Sequence, residues 1–533
     1  MTSLALTALL ASASAAGTFV DCDGGSHEWS ITDTHVLMWD GEPYVPFGGM
    51  YAGRAFWDDS DAALDRDRQI LTAIREHGIE DLYLNPVREV PPPRLQQVID
   101  ILDDLGFRYG LQVCTPPTSR MAGYDIRPEN LAEPFDSEAT VKPEPTAEAA
   151  WVTDEDAART CDYLRQLRLG PGFRFLIDPI GNEYRPPRFF LPADDGWRDE
   201  FSAFLEGVHG RPELLAEAWG LARPVEFAQG SRLVPVAMEG GTGYAADAGD
   251  GSVFRVDLST SRMWDDMCEA RELSLRKRLN DLCDTLKRVC DVPVIAKRHH
   301  EATRVLINRD AAGGLDGLGM ESYSMGDRLG TFNGAATYAE VAQARRPMWC
   351  LVTEFNGCTW TDRHIAYPSR GEMYQDLNLL LGLGARGVFM FGLSLAGSDG
   401  DKNWTIFELI NDPRQLEWLA TFGRAARERK EWLDVLPKTA FSYPPQPSDA
   451  NAFTTGPEEF GLSGSWFGER SILKLGPGRW LAPVFYPLLA EPIVTSSALG
   501  SSQRLKREST ALMPRSGRTV TADLAEPLTL PPD

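Results

Sequence analysis

Beyond its first residues, the 533-residue chain has no apolar run approaching the ~20 residues of a membrane span. It is also short of positive charge: 53 Lys and Arg stand against 77 Asp and Glu, a net charge of −24. A surface for duplex nucleic acid needs clustered Lys and Arg to displace counterions, so that partner class is disfavoured. Anionic lipid surfaces and strongly anionic polymers are disfavoured for the same reason, whereas a neutral ligand is indifferent to the field. The eight cysteines contain no C-x-x-C pair, which argues against a zinc ribbon or a redox dithiol. They are too sparse for a disulfide scaffold. Cys283 and Cys290 lie too far apart along a helix to bridge easily, so mostly buried thiols are expected, with one or two disulfides if the protein is exported.

The N-terminus lacks Lys or Arg before its apolar stretch Leu4 to Leu10, yet small residues from Ala13 to Ala16 suit a signal peptidase. Residues 1–17 therefore read as a secretory leader, and the mature protein is expected to be soluble and secreted or periplasmic. The hydrophobic fraction of 43% is enough for a sizeable core.

What is present is a rhythm. His35 to Phe47 reads as a hairpin turning at Asp40-Gly41. From Tyr44 onward, strand-like and helix-like segments alternate. Strand candidates begin at Tyr44, Ile79, Phe107, Phe173, Pro293, Leu315, Met348 and Gly387. Helical spacing marks Ala62 to His77, Leu95 to Leu105, Asp154 to Leu167, Arg262 to Val289, Glu372 to Leu383 and Pro413 to Trp432. Repeated βα units imply a parallel sheet, and this number of them implies a (β/α)₈ TIM barrel over residues 18–435, with an N-terminal hairpin. A doubly wound open sheet is the competing reading. Thr115 to Thr146, rich in Pro and Gly, reads as a long loop. Residues 436–533 read as a small C-terminal β-containing appendage, with strand-like runs in Ser471 to Tyr486 and a poorly ordered tail after Thr495.

Barrel active sites draw on the carboxyl ends of the strands. The fourth strand candidate leads to Asn182-Glu183, the sixth to Glu321-Ser322-Tyr323 and the seventh to Glu354. Two carboxylates are what glycosidic bond cleavage needs, one protonated to donate and one ionised to attack or to activate water. About 5–5.5 Å between them gives retention and about 6.5–9.5 Å inversion.

Asn182-Glu183 after strand four, with Glu354 after strand seven, resembles the clan A retaining (β/α)₈ glycoside hydrolases, which include β-galactosidases, cellulases and mannanases. Thr115 to Thr118, Leu214 to Gly220, the helix from Arg262 and Glu321-Ser322-Tyr323 resemble family 42 β-galactosidases in order and placement. The resemblance covers roughly residues 35 to 430. It implies that Glu183 is the acid/base, that Asn182 contacts the sugar 2-hydroxyl, that Glu354 is the nucleophile and that Tyr323 hydrogen-bonds it. It implies an oligo- or polysaccharide substrate, β-galactosidase-like action first, and no cofactor. The chain departs from that family after strand eight, where no Trp is evident, and in having no counterpart of its zinc-binding cysteines. An endo-acting β-glucanase or mannanase of the same clan and a non-catalytic carbohydrate-binding barrel are the alternatives.

Other residues carry weaker signals. Glu321 would bind substrate, or replace Glu354 as nucleophile if the strand count slips by one. Asp178 reads as a hydrogen-bonded structural acid. Asn85 and Arg88 follow strand two as substrate or supporting groups. Trp360 and Trp404 are candidates to stack on sugar faces. His299, beside His300 and Glu301, is a substrate contact rather than a metal ligand, because adjacent side chains on an extended chain point apart. No metal site is expected. Glu239 to Phe254 holds a glycine pattern that a dinucleotide site would follow with a helix; Asp247, Gly249 and Gly251 break one, and an exposed loop is expected.

Overall fold

The computed structural model describes residues 15–85, 87, 90–113, 119–126, 140–151, 154–179, 190–239, 242–257, 262–298, 314–323, 341, 346–356, 359–361, 364–366, 370, 373–374, 377, 380–381, 384–395, 412–434, 473–476 and 479–481. Eight parallel strands close on themselves. In order they are Phe47–Ala52, Asp81–Leu84, Arg108–Gln112, Phe173–Ile177, Val294–Arg298, Gly317–Tyr323, Trp349–Asn356 and Val388–Leu395. Each pairs with the next, and the eighth pairs with the first. The fold is a (β/α)₈ barrel. An open sheet would leave two edges, and this one has none, so the doubly wound reading falls.

Helices around the barrel follow the expected punctuation. Asp61–Glu76 begins where the Ser60 hydroxyl accepts from the Ala63 N–H at 3.2 Å, and the left-handed Gly78 follows its end. Pro92–Asp104 opens on prolines and is followed by the left-handed Gly106. The last three strands run further than expected, to Tyr323, Asn356 and Leu395. Ladder pairing within the barrel carries the extended backbone past Met320, Val352 and Phe391, where the strand-like runs were expected to end.

The barrel interior is filled by aromatic rings from different strands. Tyr83 packs edge-on to Phe389 at 5.4 Å between centroids, Phe389 lies 5.6 Å from Phe175, and Phe175 lies 5.7 Å from Trp349. Gly110 makes room for this layer, since a Cβ there would stand 2.2 Å from the Phe175 ring.

At the N-terminal end of the barrel, four antiparallel strands, Ala16–Val20, Ser26–Ile31, Leu37–Trp39 and Glu42–Tyr44, form a sheet in sequence order. The last two make the expected hairpin, with Asp40 and Gly41 both at positive φ. The sheet is tied to segments that precede barrel strands. Trp29 Nε1 donates to the Asp291 carbonyl at 2.9 Å, the Cys22 N–H to the Leu169 carbonyl at 2.9 Å, and Arg386 to the Thr34 carbonyl at 2.9 Å. It therefore caps the bottom of the barrel. Its first strand takes up the last two residues of the segment read as a leader, with Ala15 already buried.

Between barrel strands four and five the chain builds a second core. Trp197, Phe201, Leu205, Leu215, Trp219 and Met267 belong to it. The 25-residue helix Met263–Lys287 joins the two cores, since its early residues Met263, Met267 and Ala270 enter the second while Leu279, Leu282 and Leu286 enter the first. Asp266, fully buried on this helix, accepts from Trp219 Nε1 at 2.8 Å, lies 2.7 Å from His209 Nε2 and pairs with Arg262 at 3.1 Å.

Two loop assignments are corrected. The expected loop from Thr115 to Thr146 contains the strand Ser119–Asp125, which pairs with Ala147–Trp151 on one side and Phe190–Pro192 on the other. The expected loop from Glu239 to Phe254 is sheet. Leu233–Glu239, Thr242–Asp247 and Val253–Asp257 form three antiparallel strands, and no helix follows the glycines. Both sheets form by pairings whose partners single-segment patterns do not announce.

Past the helix Pro413–Glu428, the described part of the C-terminal region is the short antiparallel pair Leu473–Gly476 and Arg479–Leu481, where strand-like runs were expected. Among the described residues Cys22, Cys161, Cys283, Cys290 and Cys350 are free thiols, all buried but Cys22. No helix of the described residues is long and apolar enough to cross a membrane.

Candidate active site

The sixth and seventh strands pair in plain register up to Met320 and Val352, then slip by one residue, so that Glu321 stands opposite Glu354. The slipped residue is Thr353. Its hydroxyl donates to the Met320 carbonyl at 3.1 Å, and its methyl occupies the space over Gly319, where a Cβ would stand only 2.0 Å away. A bulge of this kind re-aims the residue that follows it, and here that residue is Glu354.

Glu354 and Glu321 are 1% and 0% exposed, and the Lys297 ammonium from the fifth strand lies between them. Lys297 Nζ contacts Glu354 Oε1 and lies 3.5 Å from Glu321 Oε1. From the second strand, the Tyr83 hydroxyl is 3.3 Å from Glu354 Oε1 and 3.1 Å from the Thr353 carbonyl, a shared donor to both. The aromatic layer that includes Tyr83 forms the floor. An ammonium and a hydroxyl facing one carboxylate fix its direction.

Neighbouring strand ends are polar as well. Asp178, just past the fourth strand, is 1% exposed and accepts from Gln112 Nε2 of the third strand at 3.0 Å. Its φ of 54° lies in the left-handed region, which Asp tolerates better than most residues. Asn85, after the second strand, keeps its backbone N–H on the Tyr51 carbonyl at 3.0 Å and points its amide at the Met50 sulfur at 2.9 Å. On the far side Arg54, after the first strand, donates to Ser394 of the eighth, while Asp67 holds that loop through the Arg54 and Ala55 N–H groups at 2.9 and 2.8 Å.

The sequence-derived candidates divide accordingly. Glu321 and Glu354 come together, on the sixth and seventh barrel strands, where the strand count put them. Asn85 stands at the end of the second strand. Tyr323 closes the sixth strand, paired with Asn356, and Trp360 lies in the short strand Thr359–Thr361. Asn182, Glu183, Arg88, His299 and Trp404 lie outside the described residues. Tyr83, Gln112 and Lys297 were not foreseen. The signal that would have found them is an ionisable or amide side chain near the carboxyl end of an otherwise apolar strand, as in Val294–Arg298.

No protein-family model matches the chain, and no curated protein matches it either. Solved structures superpose on it in part. A β-galactosidase from the psychrophilic Marinomonas ef1 superposes with a TM-score of 0.49 at 15% identity, over 73% of this chain and 62% of that one. A polyextremophilic β-galactosidase from the Antarctic haloarchaeon Halorubrum lacusprofundi gives 0.47 at 15%, over 71% and 58%. The catalytic domain of a β-amylase from Paenibacillus polymyxa gives 0.39 at 12%, over 69% and 98%. The chain thus spans about three-fifths of the length of these β-galactosidases. By its own topology it is a (β/α)₈ barrel with ionisable groups at the carboxyl ends of its strands.

Proposed function

We propose that the protein is a retaining glycoside hydrolase acting on β-linked sugars, with β-galactosidase-like action as the leading specificity. The observation that carries this reading is the setting of Glu354: buried at the mouth end of the seventh barrel strand, and held by an ammonium and a phenol.

Glu354 attacks the anomeric carbon, and the bond to the leaving oxygen breaks with its electron pair on that oxygen. Glu183 supplies the proton that the leaving oxygen takes. In the second half, Glu183 removes a proton from water, water attacks the same carbon, and Glu354 departs as carboxylate. Asn182 and Tyr323 belong to the proposal as contacts to the 2-hydroxyl and to the nucleophile, and Trp360, Trp404, His299 and Asn85 as substrate contacts. Export, expected from the leader, belongs to it too.

A panel of aryl β-glycosides, with the first-formed anomer followed by NMR, tests the reading. A β product from a β substrate supports it. An α product, or no turnover of any member, overturns it.

A further inference from the structure

The cluster at the mouth holds two carboxylates and one ammonium, none more than 1% exposed. Tyr83, Glu321 and Lys297 are titratable groups that face Glu354. Two neighbouring carboxylates without a cation would share a proton. Lys297 relieves that, but one carboxylate would suffice to satisfy it. The reaction gives the second carboxylate, 3.5 Å from the same ammonium, a use.

When Glu354 forms its bond to the anomeric carbon it becomes an ester and its negative charge disappears. An ammonium paired with Glu354 alone would then be left buried without a counter-charge, and that cost would oppose the step. Glu321 stands on the adjacent strand with its Oε1 3.5 Å from Lys297 Nζ. It forms no bond to the sugar, so the reaction does not consume its charge. We propose that Lys297 and Glu321 are positioning residues that exchange counter-charges during turnover. Lys297 holds Glu354 in the resting site and passes to Glu321 when Glu354 becomes esterified. The inference rests on the retaining reading, with Glu354 as nucleophile.

The exchange makes an asymmetric prediction. Without the Glu321 charge, Lys297 binds Glu354 more strongly, so attack slows, while the carboxylate becomes a better leaving group. A merely structural role would slow both halves together. The probe is 2,4-dinitrophenyl 2-deoxy-2-fluoro-β-galactoside with its gluco and manno counterparts. Labelling of the full-length chain, read by intact mass, measures attack. Recovery of activity after excess probe is removed measures release.

For Glu321→Gln, labelling is expected to slow roughly tenfold while recovery accelerates, since a neighbouring charge changes carboxylate basicity by about a unit or more. Glu321→Asp should restore the wild-type ratio of the two rates. Lys297→Met, measured at the alkaline end of the activity range where both carboxylates are ionised, should move the ratio the opposite way. This arm decides the question if Glu321→Gln fails to fold. Ratios unchanged in the folded variants, or both rates falling together, overturn the inference while leaving the retaining reading intact. A wild type that no probe labels, and whose product is inverted, removes both.

Discussion

Lys297, on the fifth barrel strand, reaches past Glu321 of the sixth to touch Glu354 on the seventh. Three consecutive strands thus deliver one charge each to a single buried point. Removing the cation takes away the positive charge that the two adjacent carboxylates share. Lys297→Met is expected to lower unfolding stability by about 3–5 kcal/mol at neutral pH, the usual cost of stranding a buried ionic partner. Urea melts check this, and a loss under about 1 kcal/mol would mean that the ion pair contributes little to the fold.

Glu354→Gln keeps the shape of the side chain and removes its charge. Turnover of an activated aryl β-glycoside should then be abolished with the melting temperature preserved. Glu183→Ala should instead be rescued by azide, which replaces water at the glycosylated carbon without needing a base. Full activity in either variant removes that residue from the mechanism.

Gly319 owes its identity to Thr353. An added Cβ would stand 2.0 Å from the Thr353 methyl, beside the register slip that aims Glu354. Gly319→Ala should cost about 1–3 kcal/mol through overpacking, and kcat should fall with it. Gly207 lies within the helix Asp195–His209 and has nothing within 4 Å of an added Cβ. Gly207→Ala should therefore stabilise by about 0.5–1 kcal/mol. Equal melting shifts of one sign would contradict the packing argument.

His35 should set part of the acid sensitivity. Burial under the barrel pushes its imidazole down to about 4, despite the Met348 carbonyl 3.0 Å from Nδ1. The folded state favours the neutral ring, so this contribution is complete above the ordinary value near 6.5 and is lost as pH falls toward about 4. The loss is on the order of 3 kcal/mol by pH 4. His35 has a φ of 66°, which Asn tolerates, so His35→Asn removes the titration with little backbone strain. The variant's stability should fall less steeply between pH 7 and pH 4. Parallel slopes in urea melts would show that His35 is not the sensor.

The alternation of apolar runs with helical spacing determined the barrel, because each strand buried on both faces writes its own hydrophobic signature locally. Asp40-Gly41 determined the hairpin turn, and Gly78 and Gly106 the helix ends, since positive φ is a local demand. The positions of Glu321 and Glu354 on the sixth and seventh strands were legible for the same reason. Tertiary structure alone decided that Lys297 meets both of them, that Tyr83 rises beside Glu354, and that a one-residue slip at Thr353 sets their register. It also decided that Ser119–Asp125 is a strand, because its partners lie at Ala147–Trp151 and Phe190–Pro192. Those contacts depend on closure of the sheet and on pairing between distant segments, which no single stretch of sequence encodes.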